Sequence, residues 1–393
     1  MTESDQRCRN APAGVREFVA PGRVNLLGEH TDYTGGLVLP MAIPFTTVAS
    51  IAPASDGRYS FTSDSFEESR SVATSDRITP AGNWSDYPAG VLRELMDAGV
   101  QPPPFLLRVR GDVPLGAGLS SSASVEVASA VAMLAHAGAR LPPAEIAVLC
   151  RRAENEFVGS PCGIMDQFVI TTARAGHALL LDTSSLRYEH VPINTGNFAA
   201  YRVVVVNSMV RHSIKGGGYG DRRREVEVGQ AVLRRHFPEV RQLGDATLEQ
   251  LEACEAEMPE ESFRRCRHIV TENARVHAAR EAMLAGDALR MGELMLAAHA
   301  SERDDFACSC EEIDFLVEAA AASSGCAGAR LTGGGFGGCT VNLVMVERVE
   351  EFVVVVTKAY RERFGIIAQS YVCEAADGAV RRNPQVAAEE CVA

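Results

Sequence analysis

Residues 114–124 read Pro114-Leu115-Gly116-Ala117-Gly118-Leu119-Ser120-Ser121-Ser122-Ala123-Ser124. Just before them, a strand-like alternation at 105–109 ends at Gly111. Just after them, an Ala- and Val-rich stretch at 121–137 reads as a helix, with Gly138 placed to end it. A glycine turn between a strand and a helix is a frame for an anion. Gly116 and Gly118 allow positive φ and close approach of the backbone to a ligand. The first N–H groups of the helix lack intrahelical partners, and that end carries roughly +0.5 charge. One serine is enough to cap a helix. Three serines after two glycines exceed that need, and their hydroxyls can add hydrogen bonds or hold Mg²⁺.

The chain of 393 residues is too long for one average core, and two domains are expected, with a boundary near residue 195 (1–195 and 196–393). Hydrophobic residues at 46% and charged residues at 23% are ordinary for a soluble globular protein. The net charge of −13 argues against a general binder of nucleic acid or anionic membranes. Lys215 and Lys358 are the only lysines among the 38 basic residues, so a phosphate site must rely on backbone N–H groups, arginine and a metal rather than a P-loop lysine. Eleven scattered cysteines without a CxxC pair point to reduced thiols in a cytosol rather than a disulfide framework. Residues 1–10 are polar and lack the apolar stretch of a signal peptide, and no apolar run approaches the ~20 residues of a membrane helix.

Three more segments carry chemistry. Residues 22–36 gather Arg23, Glu29, His30 and Asp32 between glycines, and carboxylates there suit a polyhydroxylated ligand, since each oxygen accepts from hydroxyls. Asp166 lies in an apolar setting, where a carboxylate needs a partner such as an arginine; on spacing alone a capping role is equally open. Gly333, Gly335 and Gly338 form a literal GxGxxG, but residues 339–344 alternate like a strand, whereas a dinucleotide-binding loop must open a helix. A turn packed against another loop or a ligand is expected instead.

Strands are also predicted at 46–51, 58–62, 178–182 and 202–207. Helices are predicted at 84–98, from Pro142 and Pro143 to Gly159, at 222–236 and at 261–300. Gly216, Gly217 and Gly218 break the chain after Lys215. Near the end, 339–346 and 353–358 supply a strand and a second apolar element.

Together these segments resemble the GHMP kinase superfamily and, within it, the galactokinase family. The matches, in chain order, are the 22–36 cluster, the serine loop, the GIMDQ of 163–167, the NSMVRHS of 207–213, the SERDDF of 301–306 and the LTGGGFGG of 331–338. The resemblance implies an α+β, two-lobed fold, with an N-terminal ribosomal-protein-S5-like lobe, a C-terminal ferredoxin-like lobe and the active site between them. It implies ATP and Mg²⁺ as cofactors, galactose as the other small-molecule substrate, and a cytoplasmic monomer.

Site roles follow from the same resemblance. Asp166 matches the residue facing the sugar C1 hydroxyl, and Arg23 the residue that orients it and stabilises the transferring phosphoryl. Glu29, His30, Asp32, Gly163 and Tyr219 match sugar contacts. Gly116, Gly118, Ser120, Ser121, Ser122 and Ala123 match the ATP loop, and Trp84 the residue near adenine. Ser122 and Glu154 match the Mg²⁺ ligands. Helical spacing does not separate Glu154 from Glu156, which flank one apolar stripe symmetrically. Thr34 departs from the family's usual Asn, and the glycines before Tyr219 stand where less flexible residues are common. Alternatives within the fold are a kinase of N-acetylgalactosamine or arabinose, and a non-catalytic binder of galactose and ATP. The intact serine loop, Asp166 and Arg23 favour an enzyme.

Overall fold

A computed structural model describes residues 14–211 and 218–381. Lys215, Gly216 and Gly217, the last residues of the NSMVRHS segment and the polar first ten residues lie outside the described residues. The strands are β1 (Arg16–Asn25), β2 (Leu37–Val38), β3 (Pro40–Pro53), β4 (Arg58–Ser63), β5 (Arg70–Ala73), β6 (Phe105–Gly111), β7 (His177–Asp182), β8 (Tyr188–Pro192), β9 (Tyr201–Arg211), β10 (Cys326–Thr332), β11 (Gly337–Met345), β12 (Gln369–Cys373) and β13 (Val380–Arg381). They form a six-stranded sheet in the order β13-β1-β3-β6-β4-β5, a four-stranded antiparallel sheet β10-β11-β9-β12, and a small sheet β2-β7-β8.

Four helices cover the six-stranded sheet: α1 (Asp86–Asp97), α2 (Ser121–His136), α3 (Pro143–Arg152) and α4 (Met165–Thr172). Their apolar faces bury Leu92, Leu95, Val127, Met133 and Phe168 against Phe18, Ile51, Phe61 and Phe105. The second half adds α5 (Gly218–His236), α6 (Leu248–Ala253), α7 (Glu260–Leu284), α8 (Ala288–Ser301), α9 (Glu311–Ala321) and α10 (Val349–Phe364). One face of the four-stranded sheet packs on α9 and α10 through Val204, Val206, Leu316, Val344, Val356 and Tyr360. Its other face joins a core shared with the first half, in which Val24, Leu26 and Met41 meet Val203, Val276, Met291 and Val341. The chain also returns physically: β13 pairs with β1, with Val380 opposite Val19.

The predicted strands and helices are present, with informative differences. The single helix expected over 261–300 is two helices. Gly286 sits between them at φ +69, where a Cβ would lie 2.7 Å from the Gly196 Cα, and Asp287 caps the second helix by accepting from Arg290 N. The apolar element at 353–358 is helical, since Phe352, Val356 and Tyr360 are buried at four-residue spacing. The helix opened by Pro142 and Pro143 ends in a π-helical turn, Ala153–Val158, closed by Gly159 at φ +80. The GxGxxG segment leads into β11 and opens no helix.

Candidate active site

The serine loop holds three left-handed residues, Gly116 (φ +66), Gly118 (φ +75) and Ser120 (φ +63). Ser120 occupies the N-cap position of α2, yet its side chain does not cap the helix. Its hydroxyl donates to Asp166 Oδ2 at 2.5 Å instead. The opening of α2 therefore keeps N–H groups available, and Ser121 and Ser122 line a cavity of about 340 Å³ beside it. Trp84 and Phe66 line the same cavity and stack with centroids 6.1 Å apart at 10°. The Trp84 indole N–H donates to Glu68 O at 2.7 Å, which fixes the ring. The helix opening and serines in this lining suit an anion, and the aromatic pair suits a flat aromatic group.

The loop is clamped from two sides. Arg23 N donates to Leu119 O, and a Cβ at Gly22 would lie 2.8 Å from that same oxygen, so β1 can approach only as glycine there. The LTGGGFGG turn packs on the other side: a Cβ on Gly333 would lie 3.2 Å from Gly118 O, and the Cys339 thiol donates to Ala117 O at 2.9 Å. That is the loop-against-loop packing expected of these glycines.

Arg23 joins the loop to Asp166. Its Nε donates to Oδ1 at 2.7 Å, one terminal nitrogen donates to Oδ2 at 3.0 Å, and the other donates to Gly118 O at 2.5 Å. The bidentate fork fixes the plane of the carboxylate. Arg23 is buried, while the Asp166 side chain remains 26% exposed, enough to meet a ligand.

Glu154 lies on the π-helical turn, whose hydrogen bonds span five residues rather than the four of an α-helix. The turn buries Glu154 and leaves Glu156 exposed. Cys162 and Gln167 side chains donate to its carboxylate, and Ser122 lies beside it. Burial, and then the charge of Asp166, push its carboxyl up to about 7.

Glu29, His30, Asp32, Gly163 and Tyr219 come together in front of Asp166. Glu29 accepts from Gly333 N at 2.8 Å and from the Thr332 hydroxyl at 3.2 Å, with Arg330 at 3.5 Å. Burial lifts its carboxyl to about 7 against the pull of Arg330. His30 is left-handed (φ +62) and stacks on Phe306 at 4.1 Å. Burial lowers its pKa to about 3, so the ring is neutral, and its Nε2 is buried with no partner among the described residues. Asp32 accepts from Met165 N at 3.4 Å; burial and the neighbouring Asp166 raise it to about 6. A Cβ on Gly163 would lie 1.9 Å from Asp32 Oδ2, so glycine is required for this contact. The Tyr219 ring sits 5.6 Å from His30 and 5.9 Å from Tyr33, and burial raises its phenol.

Sequence reasoning did not single out Phe66, Tyr33, Phe306, Thr332 or Arg330. Phe306 and Thr332 lie inside the quoted SERDDF and LTGGGFGG segments, so the segments were visible while the side chains that matter were not. A second cavity of about 410 Å³, lined by Leu26, Ile193, Phe198, Met291 and Leu343 among others, is mainly apolar and stands apart from this chemistry.

Family models match the N-terminal domain of GHMP kinases at residues 86–174, the galactokinase galactose-binding signature at residues 9–53 and the C-terminal domain of GHMP kinases at residues 279–358. A mevalonate kinase from Methanococcus jannaschii shares the fold at 18% identity, with a TM-score of 0.68 over 93% of this chain and all of that one. Fold and loop thus define a GHMP kinase, with the two-lobed α+β architecture of that superfamily. The galactokinase of Halalkalibacterium halodurans is 42% identical over 93% of this chain and 92% of its own, and the human galactokinase is 42% identical over 92% and 90%. The crystal structure of Lactococcus lactis galactokinase complexed with galactose matches at a TM-score of 0.89 and 32% identity, over 97% and 98% of the two chains. The chain belongs to the galactokinase family and is a sugar kinase.

Proposed function

We propose that this enzyme transfers the γ-phosphoryl group of ATP to the C1 hydroxyl of galactose. One observation carries the proposal: the Arg23–Asp166 pair is bonded directly to the serine loop, with the Glu29, His30, Asp32 and Tyr219 pocket in front of it. Phosphoryl transfer asks a protein for positioning and charge stabilisation more than for covalent chemistry. In this scheme Gly116, Gly118, Ser121, Ser122 and Ala123 hold the phosphates, and Trp84 with Phe66 holds the adenine. Glu29 and Asp32 accept from sugar hydroxyls, and the partnerless His30 Nε2 and the Tyr219 hydroxyl complete the pocket with the Gly163 backbone. Asp166 faces the C1 hydroxyl and takes its proton during or after transfer. Ser120 and Arg23 hold the carboxylate in that orientation. Arg23 also places its charge beside the loop, where negative charge spreads over the transferring group.

Mg²⁺ fits the donor set here. Ser122 and Glu154 offer hard oxygens next to the phosphate cavity, and their side chains lie beside each other. Among the described residues no group of three or more His, Cys, Asp or Glu side chains is arranged to hold a metal ion. A cation held by Ser122 and Glu154 must draw its remaining ligands from phosphate and water, as Mg²⁺ commonly does. When bound, Mg²⁺ neutralises charge on the phosphate oxygens.

We further propose a cytoplasmic monomer divided near residue 195; no helix among the described residues is long and apolar enough to cross a membrane. The test of function is ADP release from ATP across a panel of free monosaccharides. Galactose is expected to give the highest kcat/KM. Preference for N-acetylgalactosamine or arabinose, or no ADP with any sugar, would contradict the proposal.

A further inference from the structure

Gln167 follows Asp166 on the first turn of α4 and is fully buried. Its amide nitrogen donates to Glu154 Oε2 at 2.7 Å and to Glu126 Oε2 at 3.0 Å. Glu126 is also fully buried, one turn after Ser122 on α2, so the two share a helix face. Gln167 Oε1 and Glu126 Oε1 have no hydrogen-bond partner among the described residues. Leaving a buried acceptor unsatisfied costs stability, and a glutamine placed only to fill the core would not be spread in this way. Both amide hydrogens are committed to carboxylates, and one of those carboxylates stands beside Ser122.

We infer that Gln167 is a positioning residue for the metal-binding carboxylate. Glu126 anchors the amide from behind, and the amide turns Glu154 toward Ser122. The inference rests on the proposed Ser122–Glu154 cation site. Consecutive residues of one helical turn then serve the two halves of the reaction. Asp166, held by Arg23 and Ser120, faces the sugar pocket, and Gln167 reaches Glu154 on the phosphate side.

The test measures Mn²⁺ binding to the enzyme–ATP complex by electron paramagnetic resonance, together with KM for galactose, in Gln167→Met, Gln167→Asn and Glu154→Gln. Gln167→Met keeps length and volume but removes the donor. The expected result is a roughly 10–100-fold weaker Mn²⁺ constant, the usual range for loss of an outer-shell partner, with galactose KM changed by no more than about twofold. Gln167→Asn keeps an amide that is too short to span both carboxylates, so it is expected to weaken Mn²⁺ binding in the same direction. It carries the test if Gln167→Met shows no cooperative melting. Unchanged Mn²⁺ binding in both Gln167 variants, alongside weakened binding in Glu154→Gln, would overturn the inference and leave the cation site standing. An equal loss of galactose and Mn²⁺ binding would reduce Gln167 to a packing role and overturn it as well. Unaltered Mn²⁺ binding in Glu154→Gln would remove the cation site, and the inference with it.

Discussion

Arg23 makes three hydrogen bonds with one planar group, two to Asp166 and one to Gly118 O. A lysine offers a point charge and cannot bridge both carboxylate oxygens while holding the loop. Arg23→Lys is therefore expected to lower kcat by roughly 10²-fold, with the melting temperature nearly unchanged; steady-state kinetics and a thermal melt check this. Glu29 adds a pH signature. Its folded carboxyl sits at about 7 against an ordinary value of 4.5, so the folded state holds the proton more tightly than the unfolded chain. The stability that this proton confers is complete below pH 4.5 and is lost as pH rises through 7. Gln mimics the protonated form, so Glu29→Gln should cost more stability at pH 5 than at pH 8. The difference should be on the order of a few kcal/mol or less in urea denaturation. A cost that grows toward pH 8 would count against the burial argument.

At the scale of elements, the π-helical turn Ala153–Val158 decides which glutamate enters the site. An α-helical reading places Glu154 and Glu156 symmetrically about the stripe of Ile146, Leu149, Cys150, Ala153 and Phe157, so spacing could not choose between them. The widened turn breaks that symmetry, and nothing in the local sequence announces it. Glu154→Gln is expected to weaken metal-dependent activity by roughly tenfold or more, and Glu156→Gln to leave it unchanged; titration of the Mg²⁺ requirement separates them. Other parts of the site were legible because glycine is informative. The glycines at 116 and 118 marked a loop with positive φ, and the strand-like run after Gly338 was enough to set aside a dinucleotide fold. The resemblance places Ser120 in the phosphate loop, whereas its hydroxyl lies on Asp166. A side-chain direction of this kind depends on a partner 46 residues away, which local pattern does not encode. The Gly286 break between α7 and α8 escaped for a related reason, since apolar periodicity continues on both sides of it.

Across the whole molecule, each half has a core of its own, and a further core is shared between them. One core combines Val24, Leu26 and Met41 with Val203, Val276, Met291 and Val341, and β13 returns to pair with β1. A boundary near residue 195 is then expected to divide the fold without making two independent folding units. A fragment of residues 1–195 should expose its share of that core and show no cooperative thermal transition, where the full chain shows one. Calorimetry of the fragment checks this, and a sharp independent melt would contradict it.

The most direct test of the account is ³¹P NMR of the product formed from ATP and galactose by the wild-type chain and by Asp166→Asn. The wild-type enzyme is expected to place the phosphate on C1 of galactose, and the folded variant to act roughly 10²–10⁴-fold more slowly. A phosphate on another hydroxyl, or near-normal turnover by Asp166→Asn, would contradict it.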